Sequence, residues 1–336
     1  MRSLQLQKSL MNNQPYYLLG LLVGLLLGCN SPDPNIDSES EQASTKTLTK
    51  VTLQLNWFPE AEHGGYYAAA LHGFFEEEGL EVEILPGGPN SPVIQQLVSS
   101  QAEFVVGNAD QVLTSRAKDS EAVALFAPLQ NSPRCIMVHE AAGIKSLADL
   151  KNMTLGMSAG RAFALYMQKH LSMENVTLVG YPGSPAVFVN DETFGQQAYV
   201  FSEPFVATKL GAKPLALMVS DIGYNPYTSL LITTQQRIDT DNELVQKMIR
   251  ASKKGWIQYL KDSEKTNQHI HSLNEEMGLD ILAYGAKVLQ DLCLPDSASQ
   301  EHLGAMNLQR WTDLRDQLIE IELIDSSVDP AAAFLK

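Results

Sequence analysis

Two hydrophobic patterns take turns along the chain from residue 51 onwards. Apolar and polar residues alternate over residues 51–55 and again over 80–84, as in half-buried strands, whereas apolar residues between Tyr66 and Phe75 fall at helical spacing. The pattern continues, with further strands predicted over residues 104–106, 122–127, 135–138, 153–157, 176–179, 198–201, 215–219 and 230–233. Strands that alternate with helices predict βαβ units and a mostly parallel sheet.

A polar break at residues 130–133 divides this pattern into two blocks. The chain has 336 residues, which is more than one compact core usually uses. After residue 233 the pattern is almost wholly helical, and we expect Trp256 and Trp311 in the core. The sequence therefore predicts an α/β protein of two lobes, each a mostly parallel sheet flanked by helices. Lobe one would comprise residues 51–131 and 234–336, and lobe two residues 132–233.

The first residues have the pattern of an export signal. Arg2 and Lys8 precede an apolar run over residues 16–27, which is shorter than the roughly 20 residues that a membrane-spanning helix needs. The run leads into the letters LLGC, which end at Cys29 and resemble the bacterial lipobox. We therefore expect residues 1–28 to be a lipoprotein signal peptide and Cys29 to carry lipid. An uncleaved anchor and an ordinary signal peptide are the alternatives.

Residues 29–50 are rich in Ser, Pro, Asp and Glu and have no apolar period. This composition predicts a flexible tether. Lipid on Cys29 and such a tether would hold an exported protein at the periplasmic face of a membrane.

Charge and cysteine content narrow the classes of partner. The formal net charge is −15, and the remainder after residue 28 carries −17, because the first 28 residues contain two basic residues and no acidic one. An acidic surface argues against nucleic acid and anionic lipid as partners. Cys135 and Cys293 could pair or stay as buried free thiols. The absence of CxxC and HExxH motifs leads us to expect no metal and no cofactor.

Open α/β sheets bind ligands beyond the carboxyl ends of their strands, where the strand order reverses. In this chain the rule selects the loops 56–65, 86–91, 107–110, 158–161, 181–185 and 202–204. They combine polar or aromatic side chains with glycine, which lets a backbone approach a ligand closely. The candidate ligand-binding residues are Asn56, Trp57, Glu62, His63, Gly88, Asn108, Asp110, Ser158, Gly160, Glu203, Tyr224 and Tyr227.

The first of these loops contains the most distinctive candidates. The Trp57 indole could stack on a flat heterocycle, and the Asn56 amide could meet the edge of a ring such as a pyrimidine. Glu62 and His63 are adjacent, so we expect at most one of them to point fully inward. His63 could donate to a ligand oxygen or ring nitrogen. Each has a structural alternative: a core anchor for Trp57, a turn for Asn56 and a helix cap for His63.

Glu203 follows a predicted strand and begins a helix. Its carboxylate could accept a hydrogen bond from an exocyclic amine, or it could stabilise the start of its own helix. Asn108 and Asp110 flank the end of another strand and have the same two interpretations.

The remaining candidates belong to lobe two in this interpretation. Ser158 and Gly160 lie where a helix N-terminus could bind an anionic or carbonyl group. Tyr224 and Tyr227 fall in a loop between predicted strands, where they could form an aromatic wall of the cleft.

Several ordered motifs resemble one protein family. Residues 55–69, LNWFPEAEHGGYYAA, strongly resemble the opening motif of the thiamine-pyrimidine-precursor binding family, which belongs to the substrate-binding proteins of ABC importers. Further similar segments are GFFEEEGL at 73–80, GNAD at 107–110, GIKSLADLK at 143–151, QAYVFSEPF at 197–205 and DIGYNPY at 221–227.

The resemblance implies the two-lobed periplasmic-binding-protein fold. The chain would leave lobe one near Gln130 and return near Thr233, and this two-pass hinge would let the lobes close on a ligand. The implied ligand is a small nitrogen heterocycle such as a thiamine pyrimidine precursor, and the implied partner is an ABC permease, with the protein itself a monomer. Related proteins bind sulfonates, nitrate or flavins, and a ligand-sensing lobe for a membrane receptor is another alternative.

The same family includes fungal pyrimidine synthases. Those enzymes need a lysine for pyridoxal phosphate near the opening motif and a cysteine-rich iron segment. Here no lysine occurs between Val51 and Gly107, and the three cysteines are scattered. We therefore expect a binding protein without catalytic activity.

Overall fold

The computed structural model describes residues 47–295 and 298–336. The predicted signal peptide, Cys29 and the tether up to residue 46 lie outside these residues. The first strand begins at Thr49, so residues 49 and 50, which were predicted as tether, belong to the fold.

Ten strands of the described chain form two five-stranded sheets. The strands are β1 (Thr49–Gln54), β2 (Leu80–Leu85), β3 (Phe104–Gly107), β4 (Ala122–Phe126), β5 (Arg134–His139), β6 (Thr154–Gly156), β7 (Thr177–Val179), β8 (Phe194–Tyr199), β9 (Pro214–Met218) and β10 (Leu230–Thr234).

Both sheets have the same plan. Sheet one has the order β2-β1-β3-β10-β4, in which β1 pairs in parallel with β2 and β3, and β10 is antiparallel to its neighbours. Sheet two has the order β7-β6-β8-β5-β9, with β5 as its antiparallel strand. The prediction of α/β sheets flanked by helices is confirmed, and each sheet is mixed, with four strands in one direction and one against them. We call sheet one with its helices lobe one and sheet two with its helices lobe two.

The antiparallel strand of each sheet is the one by which the chain arrives from the other sheet. This placement corrects one prediction, because residues 230–233 were expected to be the last strand of lobe two. Leu230 lies opposite Gly107 of β3, so β10 belongs to sheet one and the chain returns before Leu230 rather than at residue 233. A short apolar run predicts a strand but carries no information about the strand's partners.

Helices pack against both sheets. They are α1 (Gly64–Leu71), α2 (Phe74–Glu77), α3 (Val93–Val98), α4 (Ala109–Arg116), α5 (Ala162–His170), α6 (Ala186–Asn190), α7 (Glu203–Lys209), α8 (Gln235–Thr240), α9 (Asn242–Lys261), α10 (Glu264–Leu273), α11 (Leu279–Cys293) and α12 (Leu308–Glu320). The helical return predicted after residue 233 is therefore present. Trp256 of α9 and Trp311 of α12 are fully buried, as expected.

Helices α1 and α9 approach each other unusually closely through glycines. A Cβ atom on Gly255 would lie 2.1 Å from the Gly65 carbonyl oxygen, and one on Gly65 would lie 2.1 Å from the Trp256 ring. The glycines that follow His63 were expected to let a backbone approach a ligand. The structure instead uses Gly64 and Gly65 for helix packing, since a Cβ on Gly64 would lie 2.1 Å from the Tyr259 ring.

The chain passes between the lobes twice, at residues 127–133 and 223–229, and these two crossings run side by side. Leu129 and Thr228 form an antiparallel bridge, and the Ser132 backbone N–H donates to Asn225 Oδ1 at 2.8 Å. Arg310 of α12 ties the crossings together, because its Nη2 donates to the carbonyl oxygens of Gln130, at 2.6 Å, and of Asn225, at 2.9 Å. The two-pass connection implied by the resemblance is thus present, with its second pass earlier than predicted.

Cys135 and Cys293 are both buried free thiols, which selects one of the two alternatives left open by the sequence. Across the described ranges, no helix is both long and apolar enough to span a membrane.

We expect Gly255→Ala to lower the free energy of unfolding by about 1–3 kcal/mol, because the new methyl group would overlap a backbone oxygen that has no room to move. An alanine in an unhindered helix would instead stabilise by roughly 0.5–1 kcal/mol. Urea denaturation measures the difference. Gly180→Ala is the control, since its Cβ would meet open space, and a Gly255→Ala variant as stable as that control would contradict the packing argument.

Candidate functional site

The candidate site lies where the carboxyl ends of parallel strands from both sheets face each other. β1 lies between β2 and β3, and β6 lies between β7 and β8, so each sheet has its switch in strand order there. The lobes are in contact beside these strand ends. Phe201, which follows β8, packs in the core of lobe one, and Tyr284 of α11 stacks on Phe205 of α7 with 4.6 Å between ring centroids.

Four residues of the first loop and of the segment before β10 form one polar network. His63 Nε2 lies 2.9 Å from Asn56 Oδ1 and 3.1 Å from Glu62 Oε1. Asn56 Nδ2 donates to Glu62 Oε1 at 3.3 Å, and the Ser229 hydroxyl donates to Glu62 Oε2 at 3.2 Å. The expectation that at most one of Glu62 and His63 points inward is wrong, because both are 0% exposed. Their contact pairs the Glu62 carboxylate with His63 Nε2, whereas His63 Nδ1 is buried without a hydrogen-bond partner among the described residues.

This network fixes the orientation of Asn56. Both neighbours of His63 Nε2 are oxygen acceptors, so that nitrogen carries a hydrogen, and the Asn56 oxygen must point toward it. Glu62 and His63 expose no surface to a ligand, whereas Asn56 is partly exposed. The structure therefore places Glu62 and His63 behind Asn56 rather than beside a ligand.

Trp57 follows β1 and keeps part of its indole exposed. Its ring meets Phe58 edge to face, with 5.5 Å between centroids. Gly88 lies in the neighbouring loop, where its N–H donates to the Ser91 hydroxyl at 2.7 Å. The close backbone approach belongs to Gly87 instead, since a Cβ there would lie 2.3 Å from the Leu55 carbonyl oxygen.

Asn108 and Asp110 belong to the N-terminus of α4. Asn108 caps this helix, and its side-chain oxygen also accepts from the Ser229 N–H at 3.3 Å. Asp110 accepts from the Tyr224 hydroxyl at 3.3 Å. Burial raises the pKa of Asp110, against the lowering effects of the Gln111 N–H and of nearby charged and phenolic groups. Tyr224 is buried and reaches Asp110 from the returning segment.

Ser158 and Gly160 follow β6 in lobe two. The Ser158 N–H donates to Gln197 Oε1 at 2.8 Å, and Gly160 is exposed with open space around it. Arg161, beside them, donates to Asn90 Oδ1 at 3.5 Å and so connects lobe two to the loop after β2.

Glu203 is the first residue of α7, and both of its carboxylate oxygens have partners within the protein. Oε1 accepts from the Tyr181 hydroxyl at 2.7 Å, and Oε2 accepts from the Tyr199 N–H at 2.8 Å. The carboxylate therefore fixes the loop after β7 against the end of β8.

Tyr227 is not part of a cleft wall, and this prediction is corrected. It is buried at the hinge, where the Arg310 guanidinium lies 3.8 Å from its ring centroid and its hydroxyl accepts from the Asn307 N–H at 3.2 Å. The returning chain runs along the hinge there, which the loop's aromatic composition did not reveal.

The structure adds two charged residues that the sequence did not single out. Glu60 is buried in lobe one, 7% exposed, and its carboxyl has no hydrogen bond or ion pair among the described residues. Burial, followed by the charges of Glu62 and Glu203, raises the pKa of Glu60 well above its ordinary value, and Arg134 lowers it by less.

Arg134 is the first residue of β5 in lobe two and is partly buried. Its guanidinium carbon lies 4.1 Å from the Tyr199 ring centroid and 4.9 Å from that of Phe163. Burial lowers the pKa of Arg134, but neighbouring Tyr199 and Glu203 contribute to a net increase.

The sequence contains features that could have identified both residues as candidates. Glu60 stands in the same loop as Trp57, and Arg134 directly follows the first crossing. β5 is antiparallel and enters its sheet from the hinge, so its first residue, not its last, lies at the cleft. The rule that ligands bind beyond the carboxyl ends of strands therefore does not select that first residue.

Two cavities of the structure lie outside this cleft. One of about 240 Å³ is beside the hinge and is lined by Gln130 and Tyr227 among others. The other, of about 490 Å³, is at the opposite end of sheet two, beside His139 and Phe194. In the part of the chain that the structure describes, no group of three His, Cys, Asp or Glu side chains is arranged to hold a metal ion.

The chain matches one protein family and is similar to several named proteins. The family described as NMT1/THI5 like matches residues 60–266. The riboflavin-binding protein RibY of Chloroflexus aurantiacus is 25% identical over 338 residues, 94% of this chain and 95% of that protein. The formylaminopyrimidine-binding protein of Halalkalibacterium halodurans is 30% identical over 142 residues, 42% of this chain and 41% of that protein.

Among solved structures, the periplasmic aliphatic sulphonate binding protein SsuA from Escherichia coli has the same fold. It superposes with a TM-score of 0.67 at 13% identity, over 85% of this chain and 92% of that one. The likeness supports the periplasmic-binding-protein architecture.

We expect Glu60→Gln to stabilise the ligand-free protein at neutral pH. The raised pKa means that folding favours the protonated carboxyl, so stability falls as the pH rises from about 4.5 towards the folded-state pKa, by at most about 1.4 kcal/mol per pH unit. Denaturation at pH 4.5 and pH 7 should show a gain only at pH 7. Glu83→Gln on the exposed face of β2 is the control, and equal behaviour of the two variants would contradict the assignment.

Proposed function

Because the chain belongs to the NMT1/THI5-like family, we propose that it is an extracytoplasmic substrate-binding protein of an ABC importer that holds a flat nitrogen heterocycle between its lobes. The observation that carries this proposal is the pair Asn56 and Trp57 at the switch point of sheet one. An indole that is partly exposed offers a stacking face, and the amide beside it is held by the buried Glu62 and His63. A flat ring with polar edges uses both features.

The charges of the cleft favour a neutral or cationic ligand. Electrostatic interactions connect the carboxyls of Glu60, Asp110 and Glu203 with the partly buried guanidinium of Arg134 and the exposed one of Arg161. A sulfonate or nitrate would lie beside more carboxyls than guanidiniums, whereas a carboxyl accepts hydrogen bonds from an amino group whether or not it is ionised. A pyrimidine with amino groups fits the acidic surroundings better.

A flavin is the second candidate. The relative named as a riboflavin-binding protein aligns with nearly the whole of this chain, whereas the formylaminopyrimidine-binding relative aligns with less than half. The isoalloxazine ring of a flavin is also flat, and its edge carries both carbonyl oxygens and an N–H group.

The lobes would open and close about the paired crossings at residues 127–133 and 223–229. Arg310 stays hydrogen-bonded to both crossings, so the hinge keeps its register while the lobes move. A permease could then distinguish the closed, ligand-bound protein from the open one. We assign no reaction to the cleft, and we propose that the protein acts as a monomer.

A ligand screen by thermal shift tests the proposal. A pyrimidine precursor or riboflavin, at 100 times its Kd, should stabilise the purified protein by about 2.7 kcal/mol, whereas sulfonates and nitrate should not. Trp57→Ala should weaken binding about 3- to 10-fold through loss of stacking, and Leu210→Ala, at the exposed end of α7 and outside the candidate loops, is the control. Stabilisation by a sulfonate alone, or full affinity in Trp57→Ala, would refute this assignment.

The lipid anchor at Cys29 is a separate proposal, and this residue lies outside the described part of the chain. Cells that express the full chain should incorporate labelled palmitate into it, and Cys29→Ser should abolish the labelling and release the protein from the membrane fraction. Cys135→Ser is the control, because Cys135 is a buried thiol of β5. Labelling that persists in Cys29→Ser would exclude lipidation at this residue.

A further inference from the structure

Arg134 is held in place without an acceptor for its N–H groups. The rings of Tyr199 and Phe163 lie against its guanidinium, at 4.1 Å and 4.9 Å from their centroids. Within the described chain, the guanidinium makes no hydrogen bond and no ion pair. Aromatic contact fixes the guanidinium and leaves N–H donors available at its edge.

Several other arginines of the structure have acceptors: Arg310 donates to two carbonyl oxygens, Arg250 donates to Glu78, and Arg116 donates to the Ala122 carbonyl oxygen at 3.0 Å. Arg237 of α8 also lacks a side-chain acceptor among the described residues, but it follows β10 at the end of that strand away from the cleft. Arg134 is partly buried and its N–H groups are not among the buried atoms that lack a partner, so without a protein acceptor they remain open to the cleft. The position of Arg134 suggests a ligand acceptor for them, because β5 begins at the cleft.

Glu60 is the complementary group from lobe one. Its carboxyl is buried and has no hydrogen-bond or ion-pair partner among the described residues. Glu60 and Arg134 influence each other electrostatically, yet they do not form an ion pair. An acceptor on lobe one and a donor on lobe two therefore remain unused between the two lobes.

We propose, on the basis of the function proposed above, that Arg134 determines specificity by donating to a carbonyl oxygen of the ligand while Glu60 accepts from a neighbouring ligand N–H. The preferred ligand would be a heterocycle whose edge carries a carbonyl or formyl oxygen next to an N–H group. Glu60 has an acceptor oxygen in either protonation state, so its part does not require ionisation.

Isothermal titration calorimetry of the purified mature protein tests the inference with two probes. They are a formylaminopyrimidine and the same pyrimidine without its formyl group. Wild type should bind the formylated probe more tightly. Arg134→Met should weaken binding of the formylated probe about 10- to 100-fold, the range expected for loss of a charged hydrogen bond. The same variant should change the affinity for the other probe less than about threefold. Riboflavin has ring carbonyls, so Arg134→Met should lower the affinity for riboflavin as it does for the formylated probe.

Two further variants separate recognition from folding. Arg134→Lys keeps the charge and should retain part of the preference for the carbonyl, and Glu60→Gln keeps an acceptor and should weaken binding less than Arg134→Met. Arg161→Met is the matched control, because Arg161 already has Asn90 as a partner and should affect both pyrimidines equally.

The outcomes distinguish the two levels of the argument. If wild type binds neither pyrimidine nor riboflavin, the proposed function fails and the inference fails with it. If wild type binds but both Arg134 variants are folded and keep the wild-type preference for the formylated probe, only the role of Arg134 is overturned.

Discussion

The close approach of α1 and α9 is the contact on which the lobe-one side of the cleft depends. Helix α1 begins directly after His63, so its position fixes the turn that carries Glu62 and His63. The partner helix comes from the far end of the chain, and Gly65 and Gly255 allow the two backbones to meet. The loop that carries Asn56 and Trp57 is therefore held by a helix that the chain adds only after it has built lobe two.

The antiparallel strands give the two lobes their connection and their asymmetry. β5 and β10 each enter a sheet from the hinge, so their first residues lie beside the strand ends that form the cleft. This geometry places Arg134 in the cleft and Ser229, just before β10, against Glu62. The crossings between the lobes and the candidate site are consequently built from the same short segments.

Polar groups of the cleft fall into two classes with different physical roles. Glu62 and His63 Nε2 contact each other and Asn56, and these contacts orient the Asn56 amide. Glu60 and Arg134 have no such partners among the described residues, and in the proposed function these are the groups that meet the ligand.

The sequence by itself determined the order of strands and helices, the burial of Trp256 and Trp311, and the loops that form the cleft, because these follow from local periodicity and motifs. Tertiary structure decided which sheet receives β10, why Glu62 and His63 are both buried, and why Tyr227 belongs to the hinge. It also showed that Glu60 and Arg134 lack partners among the described residues. Each of these outcomes depends on contacts between distant residues, such as Ser229 with Glu62 or Arg310 with Gln130. Such contacts exist only when strands pair and helices pack, and no local pattern encodes them.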